Sequence, residues 1–278
     1  MAGDFDLDSY LTRIGYSGDR KPTLETLRGM HFAQATAIPF ENLDVLAKRG
    51  IALDPAAVRA KLIDRGRGGY CFELNALYSA ALRALGFQVT ELIGRVRWMA
   101  PAEAATPRSH MLLLVALPEG EFLTDTGFGG LTLTGPLRFE TDIEQETPHE
   151  VHRIVASDIG FELQAKLGET WTSIYRFSLE PQHAPDYELS NWYTSTHPES
   201  IFVNHLIAGR PAPDRRYSLL NNNFTPRHRD GRVETRTLET IGEMAGVLRE
   251  DFRIALTDED IEAALAPHFD RWRDGASG

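Results

Sequence analysis

Cysteine is almost absent from this chain of 278 residues, in which Cys71 stands alone. No disulfide can form within the chain, and this is typical of a protein from a reducing compartment. The first residues, Met-Ala-Gly-Asp-Phe-Asp, are acidic and contain no apolar segment of the kind that directs secretion. The sequence therefore predicts a cytoplasmic protein.

Long apolar runs and an excess of basic charge are also missing. The longest apolar run, residues 111–117, is far shorter than the roughly 20 residues that a membrane-spanning helix needs. Lysine and arginine number 29 against 40 acidic residues, which gives a formal net charge of −11. Arginines 65, 67, 95 and 97 are too scattered to form a basic face. We expect neither a membrane nor a nucleic acid as a partner.

The most informative segment is residues 65–75, Arg-Gly-Arg-Gly-Gly-Tyr-Cys-Phe-Glu-Leu-Asn. From Cys71 the apolar residues follow the period of an α-helix as far as Leu85, and Gly86 is a typical helix stop. The thiol therefore lies at a helix N-terminus, where the helix dipole and free N–H groups favour a thiolate. Two interpretations remain open here: a nucleophile, or a small buried residue beside glycines.

The hydrophobic pattern changes period along the chain, which indicates an α+β fold of several lobes. Residues 1–87 are mostly helical in pattern, with helices over 5–14, 23–31 and 55–63. Between 88 and about 180 the alternation of strands predominates, as in a small antiparallel sheet or barrel. After Pro181 we expect irregular chain, strands at 215–220 and 232–238, and helices at 241–248 and 258–269.

A cysteine nucleophile needs a base and usually a group that orients the base. His110 opens an apolar strand, and Asp125 ends the next one. If that hairpin is symmetric about residues 119 and 120, Asp125 faces Leu114 and His110 faces Gly129. Both side chains then share one face but lie four residues apart, on the order of 13 Å, which is too far for a hydrogen bond. A bulge, strong twist or different loop must close this gap.

Five segments together resemble the arylamine N-acetyltransferase family. The stretch 67–75, which contains Cys71, is similar to its active-site signature, and 37–43, 109–111, 125–129 and 191–198 with Phe202 resemble its other landmarks in the expected order. The resemblance implies a cysteine-protease/transglutaminase-like core. It also implies a helical bundle over 1–87, an antiparallel β-barrel over 88–190 and an α/β lid over 191–278.

The resemblance further implies a ping-pong reaction without a metal. An acetyl group would pass from acetyl-CoA to Cys71 and then to an arylamine, arylhydrazine or N-hydroxyarylamine, with His110 as base and acid and Asp125 as its orienter. Structural support would come from Glu41, Arg67, Gly68 and Gly69. Contacts to the cofactor would come from Trp98, Ser109, Gly127, Phe128, Gly129 and Phe202. Contacts to the aromatic substrate would come from Phe40, Val96, Phe128 and Phe202.

Plainer interpretations accompany several of these residues. Val96, Trp98, Phe40 and Phe202 also suit simple core packing, and the glycines suit a turn. For the whole chain, one alternative is a different Cys-His-Asp enzyme, either a thiol hydrolase or an amide synthase. Another is a non-catalytic scaffold that binds CoA or an aromatic molecule. Neither the preferred amine nor the oligomeric state can be predicted from the sequence.

Overall fold

The computed structural model describes residues 5–101 and 103–273. Its N-terminal part is helical, and side-chain caps mark where the helices begin: Asp6, Thr23 and Asp54 each accept a hydrogen bond from a backbone N–H in the first turn. The helices are α1 (Leu7–Ile14), α2 (Leu24–Ala37), α3 (Leu43–Leu46), α4 (Pro55–Arg59), which continues as a π-helical turn (Ala60–Asp64), and α5 (Cys71–Ala84). A two-residue strand, β1 (Phe40–Glu41), interrupts them.

Helix α5 lies at the centre of the N-terminal core. Its buried residues include Leu74, Leu77, Tyr78 and Leu82, which pack with apolar residues of α1, α2 and the neighbouring strands. This is the face that the helical period of the sequence predicts. The helix ends where expected, since its last turn is followed by Gly86 with a φ of +88°.

The central part is an antiparallel sheet of eight strands. In spatial order the sheet runs β5-β4-β3-β2-β9-β8-β7-β6. Its edge strands are linked, because the backbone N–H of Arg138 donates to Gln145 Oε1 at 2.8 Å and Gln145 Nε2 donates back to Arg138 O at 2.9 Å. The predicted barrel is therefore confirmed as a nearly closed one. Its strands are β2 (Gln88–Val96), β3 (Arg108–Leu117), β4 (Gly120–Thr124), β5 (Leu137–Arg138), β6 (Gln145–Glu146), β7 (Val151–Ser157), β8 (Gly160–Leu167) and β9 (Thr170–Phe177).

The C-terminal part combines helices with a second sheet. Strand β1 from the N-terminal part forms one edge of this sheet, and it pairs with β10 through Phe40 opposite Gly209. The first and third parts of the chain are thus joined by backbone hydrogen bonds. The elements are α6 (Ala184–Thr196), α7 (Ile201–Asn204), β10 (Ile207–Ala212), β11 (Arg215–Leu220), β12 (Asn223–His228), β13 (Arg236–Thr237), α8 (Ile241–Glu250) and α9 (Asp258–Arg273).

Part of the C-terminal prediction is wrong. The segment after Pro181 is not irregular, because α6 is a helix of 13 residues. Pro185 lies in its first turn, where a proline costs no intrahelical hydrogen bond. Strands β10 and β12 were not predicted, and the strand expected at 232–238 is limited to Arg236–Thr237.

Two further features concern the predicted boundary of the third part and the prediction of no membrane-spanning helix. The boundary expected between residues 190 and 191 falls inside α6. Within the ranges 5–101 and 103–273, no helix has the length and apolar character needed to cross a membrane.

Candidate active site

Cys71 is the first residue of α5, and its side chain is buried. The turn that leads into the helix is held by Glu73, whose Oε2 accepts a hydrogen bond from the backbone N–H of Tyr70 at 3.0 Å. The sulfur lies 3.5 Å from the backbone oxygen of Ser109, the residue before His110. The start of α5 is therefore docked on the start of β3.

His110 and Asp125 are in contact, with 2.7 Å between Nε2 of the imidazole and Oδ2 of the carboxylate. The symmetric hairpin predicted from the sequence is wrong in its register. Leu113 pairs with Thr124, and the turn contains only residues 118 and 119. Extended by one residue, this register places Asp125 opposite Leu112, which is two residues from His110. The symmetric hairpin would have placed Asp125 opposite Leu114, four residues from His110. Diagonal neighbours on one face lie within reach of long side chains, so the tighter turn closes the gap.

His110 and Asp125 are both buried, and each stabilises the charged form of the other. Burial disfavours the imidazolium, but the charge and hydrogen bond of Asp125, together with Cys71, outweigh it and raise the pKa of His110 to about 10. Burial likewise opposes ionisation of Asp125, yet His110, Asn75 and the N–H of Gly127 hold the pKa of the carboxyl below its usual range. At neutral pH the site therefore contains an imidazolium paired with a carboxylate.

Aromatic rings fix the plane of the imidazole. The centroid of the Tyr175 ring lies 4.9 Å from that of the His110 ring. The centroid of the Phe128 ring lies 5.1 Å from the same imidazole, in an edge-on arrangement. Nε2 faces Asp125, and Cys71 lies close enough to the imidazole to be among the groups that raise the pKa of His110. The structure thus brings Cys71, His110 and Asp125 together, as a nucleophile, base and orienter require.

Asn75 belongs to the same cluster, although the sequence analysis gave it no role. It lies one turn after Cys71 on the buried face of α5. Its Nδ2 donates to Met111 O at 2.7 Å and to Asp125 Oδ1 at 2.9 Å, and its Oδ1 accepts from the N–H of Thr126 at 3.0 Å. The available signal was its position, four residues after the cysteine and thus on the same face of the helix.

A buried network of charges lies under the loop that carries Cys71. Arg67 and Glu41, two of the predicted support residues, are paired: Arg67 donates to Glu41 at 2.7 Å and also lies 3.2 Å from Asp44. Lys61 lies 2.8 Å from Glu73 and 2.9 Å from Asp44. The roles of Lys61, Glu73 and Asp44 were not foreseen, because charged side chains are usually assigned to solvent.

Gly68 and Gly69 allow close packing within the protein. A Cβ on Gly68 would lie 2.3 Å from Pro39 O, and one on Gly69 would lie 2.7 Å from Glu73 Oε2. Real Cβ atoms essentially never lie so close to another heavy atom, and the oxygen of Pro39 belongs to the backbone and cannot easily move aside. The glycines therefore support the loop against β1 and α5, and their backbone faces these neighbours.

The segment 127–129 lies directly against the cluster. A Cβ on Gly127 would meet Cys71 Cα at 2.9 Å, so only a glycine fits beside the cysteine backbone. Phe128 contacts the ring of His110, and Gly129, with a φ of +86°, approaches the ring of Phe40. The three residues thus contact the backbone of Cys71, the ring of His110 and the ring of Phe40 in turn.

A second group of aromatic residues packs around Tyr70, the residue before Cys71. Phe40 is buried, and its ring lies 5.9 Å from that of the partly buried Phe202, which also lies 5.9 Å from the ring of Tyr70. Tyr70 precedes Cys71 in the chain, and its hydroxyl contacts Asn191 of α6. Aromatic rings thus connect the loop before Cys71 with α7, and the hydroxyl of Tyr70 connects it with α6.

Three other candidate residues border the barrel strands. Ser109 contributes its backbone oxygen to the thiol contact, and Val96 is the last residue of β2. The expected alternation of strand residues does not continue to Trp98, because the N–H groups of both Arg97 and Trp98 donate to Ile174 O. Val96 and Trp98 are both half-buried. In the part of the chain that the structure describes, no group of three or more His, Cys, Asp or Glu side chains could hold a metal ion.

Comparison with known proteins gives a consistent result. The N-acetyltransferase family model matches residues 23–261. The chain is 41% identical to the arylamine N-acetyltransferase / N-hydroxyarylamine O-acetyltransferase of Salmonella typhimurium, over 91% of this chain and 90% of that protein. It is 40% identical to the arylamine N-acetyltransferase of Mycolicibacterium smegmatis, over 95% and 98% respectively.

Solved structures agree with the sequences. The arylamine N-acetyltransferase of Mycobacterium marinum superimposes with a TM-score of 0.91 at 39% identity, covering 95% of this chain and 99% of that one. The same protein in complex with CoA gives a TM-score of 0.90 at 38% identity, with the same coverage. With its fold, its clustered Cys71, His110 and Asp125, and these relatives, the chain belongs to the arylamine N-acetyltransferase family.

Proposed function

We propose that this protein transfers an acetyl group from acetyl-CoA to the nitrogen of an arylamine through an acetylated Cys71. The observation that carries the proposal is the buried thiol at a helix N-terminus beside an imidazole that Asp125 holds at 2.7 Å. A thiolate–imidazolium pair is a strong nucleophile at neutral pH. The relatives named as arylamine N-acetyltransferases, and the Mycobacterium marinum structure with CoA, supply the substrate class.

In the first half-reaction, Sγ of Cys71 attacks the thioester carbonyl carbon. The carbon–sulfur bond to CoA breaks, and the leaving thiolate takes the proton of the His110 imidazolium. In the second half-reaction, the amine nitrogen attacks the acetyl-cysteine, neutral His110 accepts the N–H proton, and the thiolate is restored. Backbone N–H groups at the start of α5 are our candidates for stabilising the oxyanion, because the first N–H groups of a helix point out of its N-terminal end.

We assign the remaining candidate residues by their position around the thiol. Contacts to CoA are proposed for Trp98, Ser109, Gly127, Phe128, Gly129 and Phe202. The aromatic substrate is proposed to contact Phe40, Val96, Phe128 and Phe202. The half-buried state of Val96, Trp98, Ser109, Phe128 and Phe202 is compatible with contact to a ligand. Division into three domains and a cytoplasmic location remain predictions.

Mass spectrometry tests the proposal. Incubation with acetyl-CoA should add one acetyl group to the intact chain, and Cys71→Ala should remain unmodified. Addition of an arylamine should then remove the acetyl group and yield an N-acetylated amine. Release at the same rate without an amine would indicate a thiol hydrolase, and binding of acetyl-CoA without labelling would indicate a scaffold. Full labelling of Cys71→Ala would refute the assignment of the nucleophile.

A further inference from the structure

The side chain of Asn75 makes hydrogen bonds to two other segments of the chain, β3 and the loop that follows β4. It is completely buried, and both hydrogens of its amide are used, one toward Met111 O of β3 and one toward Asp125 Oδ1 beyond β4. Its oxygen accepts from the N–H of Thr126 at 3.0 Å and from the hydroxyl of the same residue at 3.3 Å. An inverted amide would direct its oxygen at a carboxylate, so only one orientation satisfies every partner.

The two carboxylate oxygens of Asp125 have different hydrogen-bond partners. Oδ1 accepts two hydrogen bonds, from Asn75 Nδ2 at 2.9 Å and from the N–H of Gly127 at 2.9 Å. Oδ2 is thereby directed to His110 at 2.7 Å. A carboxylate held by a single donor can rotate about its terminal bond, whereas two donors on one oxygen fix the plane of the group.

The same side chain also connects the nucleophile and the base. Asn75 lies on α5 one turn after Cys71, and Met111, which it contacts, follows His110 in the chain. One buried amide therefore relates α5, the start of β3 and the end of β4. We infer that Asn75 is a positioning residue, which holds the Asp125 carboxylate in the orientation that keeps His110 protonated beside Cys71.

Other titratable groups near Asp125 do not replace this contact. His31 lies close to Asp125, but burial lowers the pKa of His31 to about 4, so that its ring is neutral at neutral pH. Burial raises the pKa of Tyr175 well above its usual value, and that ring is also neutral. The charged partner of Asp125 is thus His110, and the orientation of the carboxylate determines how strongly the two interact.

The chain offers a matched control in Gln34. This residue is also a completely buried amide, and its Nε2 donates to Leu74 O at 2.9 Å and to Thr126 Oγ1 at 2.7 Å. It has no hydrogen bond to Asp125 among those of the described residues. Truncation at either position removes an amide and leaves a small cavity, so both variants should lose stability. Only truncation of Asn75 should release Asp125.

The test compares Asn75→Ala with Gln34→Ala by two measurements that do not depend on acetyl transfer: alkylation of Cys71 and NMR titration of labelled histidine. For Asn75→Ala we expect the pKa of His110 to fall by about one to two pH units, the effect of losing one hydrogen bond to a charged group, and alkylation of Cys71 to slow at the pH values where this fall leaves His110 neutral. Gln34→Ala should leave both the pKa of His110 and the alkylation rate unchanged, because its amide reaches Thr126 and not Asp125.

A purely structural effect would give a different result. Partial unfolding lowers the fraction of folded protein, but it leaves the pKa of His110 in the folded fraction unchanged. If Asn75→Ala keeps the wild-type pKa, or if Gln34→Ala shifts it equally, the inference is wrong. Should Asn75→Ala fail to fold, Asn75→Ser leaves a smaller cavity, and the same two measurements decide.

Discussion

Removing Lys61 should destabilise the protein in a way that depends on pH. Its ammonium group is buried 2.8 Å from Glu73 and 2.9 Å from Asp44. Burial opposes its charge, but the carboxylates of Glu73, Glu41 and Asp44 outweigh this and raise the pKa of Lys61. Lys61→Met would leave the buried carboxylate of Glu73 without its cation. Breaking a buried pair in this way costs about 3–5 kcal/mol in the free energy of unfolding.

The pH dependence follows from Glu73. Burial already raises the pKa of Glu73 even with Lys61 present, and the loss of Lys61 raises it further. A carboxyl whose pKa is raised in the folded state stabilises the protein at low pH, and this stabilisation is lost as the pH rises through the folded value. The cost of Lys61→Met should therefore be smallest in acid and should grow toward neutral and alkaline pH.

Urea unfolding at about pH 5 and about pH 8 measures this difference. Lys166→Met is the control, because Lys166 lies 3.5 Å from Glu144 in an exposed pair, where the expected loss is below about 1 kcal/mol at either pH. The double variant Lys61→Met/Glu73→Gln should lose most of the pH dependence. A loss in Lys61→Met as small as that of the control, or one that does not change with pH, would refute the reasoning.

Two substitutions at the site give further tests. Asp125→Asn removes the charge that offsets burial, so the pKa of His110 should fall from about 10 to below its usual 6.5, and alkylation of Cys71 at about pH 7.5 should slow by about tenfold or more. Gly127→Ala places a Cβ 2.9 Å from Cys71 Cα and should strongly reduce acetyl-enzyme formation, whereas Gly246→Ala in α8, with open space around its Cβ, should leave it unchanged; equal rates would contradict the packing argument.

Most of the fold was accessible from periodicity. Helix α5 and its end at Gly86 follow from a clear helical spacing of apolar residues, and the long barrel strands follow from alternation. Helix α6 was missed because prolines surround it and its buried face includes the polar Asn191 and Thr194, which hydropathy does not count as inward. Short strands such as β13 contain too few residues for any pattern.

The site was only partly accessible for a different reason. Alternation fixes which face a strand residue occupies, and moving the hairpin register by two residues leaves every face unchanged. Asp125 beside Leu112 and Asp125 beside Leu114 are therefore indistinguishable by pattern, and only the length of the turn separates them. Asn75 and Lys61 escaped notice because their importance depends on burial beside partners that are distant in sequence.

The position of β1 at the edge of the C-terminal sheet has a consequence for how the protein is made. The contact between Asn42 and Ile207 joins residues 165 positions apart, and Phe40 pairs with Gly209. Contacts so distant in sequence form late, because a long loop must close first. During synthesis, Phe40 and Glu41 have no strand to pair with until β10 has left the ribosome. We expect chains released before residue 207 to expose a reactive cysteine and an unpaired strand, and so to aggregate or be degraded.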